Sequence, residues 1–196
     1  MAQSITKKAL KQIDKVDYLS VRDELKTGDL IFCSGDYHFS KLIQHFTASV
    51  WSHVGMIYKD ENLGRILVLE SEKMYGVRLA PLSKYVKDYH GKNKPYKGQV
   101  AIAKLEPAPD IQATNNAISF GLDELTKPYD NSEIVRIALR ILFQIGKRKR
   151  DRKYVCSELV YECFAKAGIT FTPKNRMITP DDIWSDKRVK MKYRVL

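Results

Sequence analysis

Apolar residues are concentrated in strand-like runs through the middle of the chain. Runs rich in β-branched and aromatic residues, bounded by turn-forming residues, occupy positions 52–58, 64–71, 76–82 and 98–105. The sequence KDENL between the first two has the composition of a hairpin loop. A further short strand over 30–32 follows a Thr-Gly-Asp turn. The pattern therefore predicts a meander of about four antiparallel strands at the centre of the fold.

The rest of the chain has the apolar spacing of helices. Residues 5–24 place Ile5, Ala9, Ile13 and Val16 on one side of an amphipathic helix. Further helices are predicted over residues 38–48, 110–125, 131–146 and 156–167. Because strands and helices are grouped rather than regularly alternating, the predicted fold class is α+β.

Composition places the chain among globular proteins of one domain. It has 196 residues, 44% hydrophobic and 29% charged. The longest apolar stretch, IVRIALRILFQIG, is short and interrupted by arginine, and the first residues lack the features of a secretory signal. Three cysteines, none spaced as a zinc pair, favour neither a disulfide framework nor a metal site. We therefore expect a cytoplasmic protein with no cofactor and no metal.

The net charge of +11 is partly concentrated in GKRKRDRK, residues 146–153, directly after the apolar stretch. An apolar helix that ends in a basic cluster can lie peripherally on an anionic lipid surface. The cluster could also contact nucleic-acid phosphates, although we expect no nucleic-acid partner. It could line a cleft and favour anionic substrates. The favoured interpretation is a solvated loop between two helices.

Cys156 occupies a position that suits a nucleophile. It begins the predicted helix 156–167, where unpaired amide donors and the helix dipole make a thiol more acidic. The same amides can hold the oxyanion that forms on an attacked carbonyl. Cys163, among apolar residues of the same helix, and Cys33 lack this placement. The alternative is that Cys156 is a small buried hydrophobic residue.

His53 is the candidate base, and Glu70 is its candidate partner. With the hairpin turn centred near positions 61–62, His53 pairs with Glu70 on the returning strand, and their side chains project to the same side. A carboxylate beside an imidazole fixes the ring tautomer and stabilises the imidazolium. Glu72 has the same parity and takes this role if the register shifts by two residues. A plain cross-strand ion pair without catalytic function is the alternative.

Five motifs in order, TGDLIF, SHVGMIY, VLESEKMYGVRL, KPYDN and YVCSELVYECF, resemble the circularly permuted branch of the NlpC/P60 superfamily of papain-like cysteine peptidases. The resemblance covers roughly residues 27–170. It implies a small antiparallel barrel-like sheet of about four to six strands, packed against the nucleophile helix. The predicted organisation is one catalytic domain over 1–196, with 1–25 as an N-terminal helical extension.

The resemblance also implies a chemistry: hydrolysis of an amide in a peptide or amino-acid conjugate, such as a cell-wall γ-glutamyl peptide. The implied triad is Cys156, His53 and Glu70, acting through an acyl-enzyme. Tyr129 in KPYDN and Ser157 beside the nucleophile are the candidate substrate-binding residues.

The motif that holds the nucleophile departs from the ordinary family pattern. Ordinary members often have Asp-Cys-Ser-Gly, whereas this chain has Val155-Cys156-Ser157-Glu158 and so lacks the acid that helps to recognise a substrate amine. The permuted branch is also similar to lecithin–retinol-type acyltransferases, which makes a lipid acyl hydrolase or acyltransferase at a membrane surface an alternative. A non-catalytic basic binding module is another. The sequence predicts no oligomeric state.

Overall fold

The computed structural model describes residues 5–129, 154–173 and 177–196. Six strands form one antiparallel sheet: β1 (Leu30–Gly35), β2 (His53–Asp60), β3 (Arg65–Glu72), β4 (Gly76–Pro81), β5 (Gly98–Leu105) and β6 (Val189–Arg194). Their spatial order is β4-β3-β2-β1-β5-β6, and the sheet is open rather than closed into a barrel. The predicted α+β class is confirmed.

The helices surround this sheet. They are α1 (Lys7–Gln12), α2 (Tyr18–Val21), α3 (His38–Thr47), α4 (Leu82–Lys87), α5 (Ile111–Asp123), α6 (Cys156–Lys166) and α7 (Pro180–Trp184). Short 3-10 helices cover Arg22–Glu24 and Tyr89–Gly91. In the described part of the chain, no helix is both long and apolar enough to cross a membrane.

The predicted strands exist, but two features of the sheet differ from the prediction. Strands β2, β3 and β4 form the expected meander, whereas β5 pairs with β1 instead of continuing it. Strand β1 lies between β2 and β5, and its side chains are completely buried because they enter the apolar clusters on both sides of the sheet. Strand β6 was not predicted, since its lysines and arginine alternate with apolar residues in a segment that reads as a charged tail.

The single amphipathic helix predicted over residues 5–24 is wrong. The first helical segment ends at Gln12, the backbone of Ile13 is extended, and residue 15 forms a bridge with Arg194 at the edge of β6. The amide of Val16 donates to the Arg194 carbonyl at 2.9 Å. Backbone pairing with the sheet edge thus replaces the helical bonds that the sequence pattern alone would favour. The predicted helix 131–146 and the basic stretch 146–153 lie outside the described residues.

Alternating side chains of the sheet supply two apolar clusters. On one side, Val54, Met56 and Leu69 pack with residues of α5 and α6. On the other, Ile57 and Val68 pack with α4 and with the segment that precedes β1. Helix α6 contacts both β2 and β3, so it packs against the central hairpin.

Candidate active site

Cys156 is the first residue of α6. The preceding residue, Val155, is extended (φ −85°, ψ 162°) and offers no side-chain acceptor to the first turn. The Glu158 carboxylate reaches back and accepts the Val155 amide at 3.4 Å. The amides of the first helical turn have no carbonyl partner within the helix. The thiol therefore lies beside backbone donors, in a side chain that is 4% exposed.

His53 is the first residue of β2 and lies between a thiol and a carboxylate. The charge of Cys156 makes the largest contribution to raising the pKa of the His53 ring, so the sulfur lies near that ring. The Nε2 atom of the ring lies 2.6 Å from Oε2 of Glu70. Since Glu70 occupies Nε2, the ring nitrogen left for the thiol is Nδ1. The structure thus brings together the three residues that the sequence singled out as nucleophile, base and orienting acid.

Glu70 is completely buried, and each of its oxygens is bonded. Arg78 donates to Oε1 from Nε at 2.9 Å and approaches the same oxygen with a terminal nitrogen at 2.8 Å. The Tyr85 hydroxyl donates to Oε2, the oxygen that also faces His53. Such a buried carboxylate is stable only because these donors replace water.

Charge and hydrogen bonding outweigh burial for both members of the pair. Burial raises the pKa of Glu70, but the hydrogen bond and charge of His53, followed by the charge of Arg78, lower it to about 2. Burial likewise lowers the pKa of His53, whereas Cys156 and then Glu70 raise it to about 10. Near neutral pH the pair is therefore an imidazolium facing a carboxylate.

The predicted hairpin register is wrong by two residues. Met56 lies opposite Leu69, and Asp60 lies opposite Arg65. Continuing this pairing along the two strands places position 53 opposite position 72. The turn covers residues 61–64, one residue further along than predicted. Glu72 nevertheless does not take the partner role, because its carboxylate accepts the Met74 amide at 2.8 Å. Glu70 contacts His53 as a diagonal neighbour on the same side of the sheet.

Three residues around Cys156, His53 and Glu70 were not predicted from the sequence: Arg78, Tyr85 and Ser71. The buried Ser71 hydroxyl donates to the Tyr154 carbonyl at 2.7 Å, which ties β3 to the residue two positions before Cys156. Arg78 lies opposite Glu70 in the β3–β4 register, so a cross-strand charge pair was the available signal. Tyr85 belongs to α4, and no sequence pattern indicates where that helix packs.

The two candidate substrate-binding residues lie in different surroundings. Tyr129 lines a cleft of about 250 Å³ that also exposes His53, and it forms a backbone bridge with Tyr154. Ser157 is 2% exposed, and its hydroxyl donates to the Ile178 carbonyl at 2.9 Å. That hydroxyl is held by the fold, so only the backbone amide of Ser157 remains for a ligand.

The other cysteines lie in environments that disfavour the thiolate. Cys33 and Cys163 are fully buried, and burial is the main cause that raises the pKa of each thiol, that of Cys163 to about 12. All three cysteines are free thiols. Among the residues that the structure describes, no three His, Cys, Asp or Glu side chains are grouped as metal ligands would be.

The chain is similar to a known family, to a viral protein and to a solved bacterial structure. The model of a family described as permuted papain-like amidase enzymes, the YaeF/YiiX or C92 family, matches residues 24–194. Protein OPG091 of Monkeypox virus is 29% identical over 147 residues, which cover 75% of this chain and 69% of that protein. The crystal structure of metalloprotein yiiX from Escherichia coli O157:H7 has a TM-score of 0.65 at 20% identity, covering 86% of this chain and 97% of that one.

Proposed function

This chain belongs to the permuted papain-like amidase family, and we propose on that premise that Cys156, His53 and Glu70 form its catalytic triad. The family is one of cysteine peptidases, so the chain is a thiol hydrolase of amide bonds. One observation carries the assignment of residues: the His53 ring lies 2.6 Å from the Glu70 carboxylate through Nε2 and near enough to Cys156 for that residue's charge to raise the ring pKa. Triads are defined by this geometry and not by chain order.

The reaction follows from the atoms in contact. His53 is already protonated and pairs with the Cys156 thiolate, whose sulfur attacks the carbonyl carbon of the amide. The backbone amides at the start of α6, including that of Ser157, hold the oxyanion. The C–N bond then breaks as His53 gives its proton to the leaving amine, which leaves a thioester on Cys156. Water, deprotonated by His53, attacks the thioester and releases the acid, which restores the Cys156 thiolate beside protonated His53.

Glu70 orients the ring and stabilises its imidazolium form. Its negative charge is itself maintained by Arg78 and Tyr85. The relative named as a metalloprotein is a structural neighbour at 20% identity. The proposed steps use side chains and backbone amides of this chain together with water.

For the substrate we propose a peptide or amino-acid conjugate, a γ-glutamyl peptide among them. The family's description as amidases and the position of Tyr129 in the cleft beside His53 support this choice. The position before the nucleophile is Val155, which is 5% exposed and apolar, so amine recognition falls to other residues. The lipid alternative depends on the basic stretch 146–153, which lies outside the described residues.

Selective chemistry at Cys156 tests the proposed triad. At pH 5.5, an ordinary thiol with a pKa near 8.5 hardly reacts with iodoacetamide, whereas a thiolate paired with His53 does. We expect labelling of Cys156 over Cys33 and Cys163, measured by peptide mass spectrometry, and loss of that labelling in His53→Ala. Hydrolysis of a γ-glutamyl peptide should disappear in Cys156→Ala and persist in Cys163→Ser. Equal labelling of all three cysteines, or turnover by Cys156→Ala, would refute the triad.

A further inference from the structure

The cleft beside His53 carries positive charge that other residues leave uncompensated. Lys73 and Lys92 line it and are exposed. Neither forms an ion pair within the part of the chain that the structure describes. The Lys73 ammonium lies 4.4 Å from the centre of the Phe39 ring. A cation held against a ring keeps its charge available to an anion, because no carboxylate neutralises it.

Negative charge in the lining of the cleft is less than the positive charge. Glu72 is the one carboxylate among the described lining residues, and it already accepts the Met74 amide. The lining of the cleft therefore contains two lysine ammonium groups and one carboxylate. The electrostatic balance at the rim is positive and favours an anionic ligand.

His90 adds a polar atom without a partner. It lines the same cleft, with its ring stacked on Tyr89 at 4.0 Å between ring centres. Its Nε2 atom is buried and has no hydrogen-bond partner among the described residues. The His90 backbone is left-handed (φ 57°), a conformation that non-glycine residues seldom adopt. Burial lowers the pKa of His90 and so favours the neutral ring, which can donate one hydrogen bond.

The dimensions of the cleft limit what it holds. Its volume of about 250 Å³ lies below the roughly 300–1,000 Å³ typical of sites for drug-sized ligands. The walls are mainly aromatic, contributed by Tyr37, Phe39, Tyr96 and Tyr129. This combination suits one compact substituent with an apolar stem and a charged end.

We propose that the cleft binds an anionic substituent of the amide substrate, a carboxylate or a phosphate, through Lys73, Lys92 and His90. The inference rests on the proposed function, since it places this substituent beside the His53 and Cys156 pair. It makes the three residues determinants of specificity, whereas the triad performs the chemistry.

Matched alkylating probes test the proposal. The probes are N-iodoacetyl-β-alanine, its neutral carboxamide, and the N-iodoacetyl derivative of phosphoethanolamine. The measured quantity is the second-order rate of Cys156 alkylation, divided for each probe by its rate with glutathione. We expect a normalised anionic-to-neutral ratio of about threefold or more, the size of an exposed charge contact, which decreases as salt is added.

Substitutions in the cleft test whether its residues cause the preference for anionic probes. The double variant Lys73→Gln/Lys92→Gln should bring the ratio near one. Lys190→Gln removes the same type of charge from β6, at the sheet edge remote from β3 and β4, and should leave the ratio unchanged. His90→Gly, which the positive φ tolerates, should lower the ratio by removing the ring.

The outcomes separate this inference from the proposed function. If the neutral probe does not select Cys156 over Cys33 and Cys163, the triad fails. If it does select Cys156, but the ratio is the same in the wild type and the double lysine variant, the triad stands and the anionic site is overturned. Preference for only one of the two anionic probes identifies the substituent as a carboxylate or as a phosphate. An unchanged ratio in His90→Gly overturns the role of His90.

Discussion

The Nε2 atom of His53 lies 2.6 Å from Oε2 of Glu70, although the strand register extends to place position 53 opposite position 72. Strand twist brings diagonal neighbours on one side of a sheet within reach of long side chains. Glu70 is buried and already held by Arg78, whereas Glu72 is partly exposed and bonded to the Met74 amide. The choice between the two carboxylates is thus made by burial and by their other partners.

Glu70→Gln should lower the pKa of His53. The wild-type pKa is raised to about 10, and Glu70 supplies part of that increase through a hydrogen bond and its charge. An amide keeps the shape of the side chain but removes the charge, so the pKa should move toward its ordinary value near 6.5. The titration can be followed by NMR of ¹⁵N-labelled histidine.

Glu72→Gln is the matched control for that measurement. It removes a carboxylate of the same parity on the same strand, one whose partner is the Met74 amide. We expect the His53 titration to stay at its wild-type position. Equal shifts in the two variants would show that general charge, and not the contact with Glu70, holds the imidazolium.

The ion pair should stabilise the fold most between about pH 4.5 and 6.5. The folded pKa of His53 is raised from 6.5 to about 10, so its contribution is complete below pH 6.5 and is lost as pH rises through 10. The folded pKa of Glu70 is lowered from 4.5 to about 2, so its contribution is present above pH 4.5 and is lost as pH falls through 2.

Urea unfolding across a pH series measures this contribution. The quantity of interest is the unfolding free energy of the wild type minus that of His53→Gln/Glu70→Gln, because subtraction removes the effect of the other titrating groups. We expect this difference to be greatest in the stated window and to decrease on both sides. A difference that does not change with pH would contradict the ion pair.

Arg78→Met should slow alkylation of Cys156 by iodoacetamide at pH 6. Methionine keeps much of the length but removes the charge that helps to keep Glu70 ionised, so the imidazolium loses part of its support. The expected reduction is about tenfold, or about 1.4 kcal/mol. Arg78→Lys should restore part of the rate, which a purely structural loss would not allow. Lys84→Met removes a nearby charge that pairs with Asp88 and should have little effect.

The sequence predicted the elements that carry the site better than it predicted their connections. Alternation and turn residues were enough to find β2 and β3, and the cap position was enough to find the start of α6. Glu70 was selected correctly although the predicted register was wrong. Positions 70 and 72 are two residues apart and project to the same side of the sheet, so a register error of two residues still kept Glu70 on the side of His53.

The remaining contacts depend on tertiary packing. Arg78 resembles any half-buried strand residue until Glu70 lies opposite it, and Tyr85 reaches Glu70 only because α4 packs over the sheet. The helix predicted over residues 5–24 failed for a related reason, since Val16 donates to the Arg194 carbonyl of the unpredicted strand β6. Such long-range backbone pairing leaves no local pattern in the sequence.

Gly55→Ala should destabilise the hairpin that holds His53. A Cβ at position 55 would lie 2.7 Å from Cγ1 of Val68 and 3.2 Å from Cγ2 of Ile31, both in the buried core. Overpacking of this kind costs about 1–3 kcal/mol. The free energy of unfolding in urea measures the loss.

The double variant Gly55→Ala/Val68→Ala shows whether that overlap is the cause. Val68→Ala alone leaves a cavity and is itself destabilising. Together, the added methyl group at position 55 can occupy space that the valine has left, so the double variant should lose less stability than the sum of the two single variants. Contacting residues that interact in this way depart from additivity by about 0.5–3 kcal/mol. Strict additivity would mean that position 55 requires glycine for a reason other than its contact with Val68.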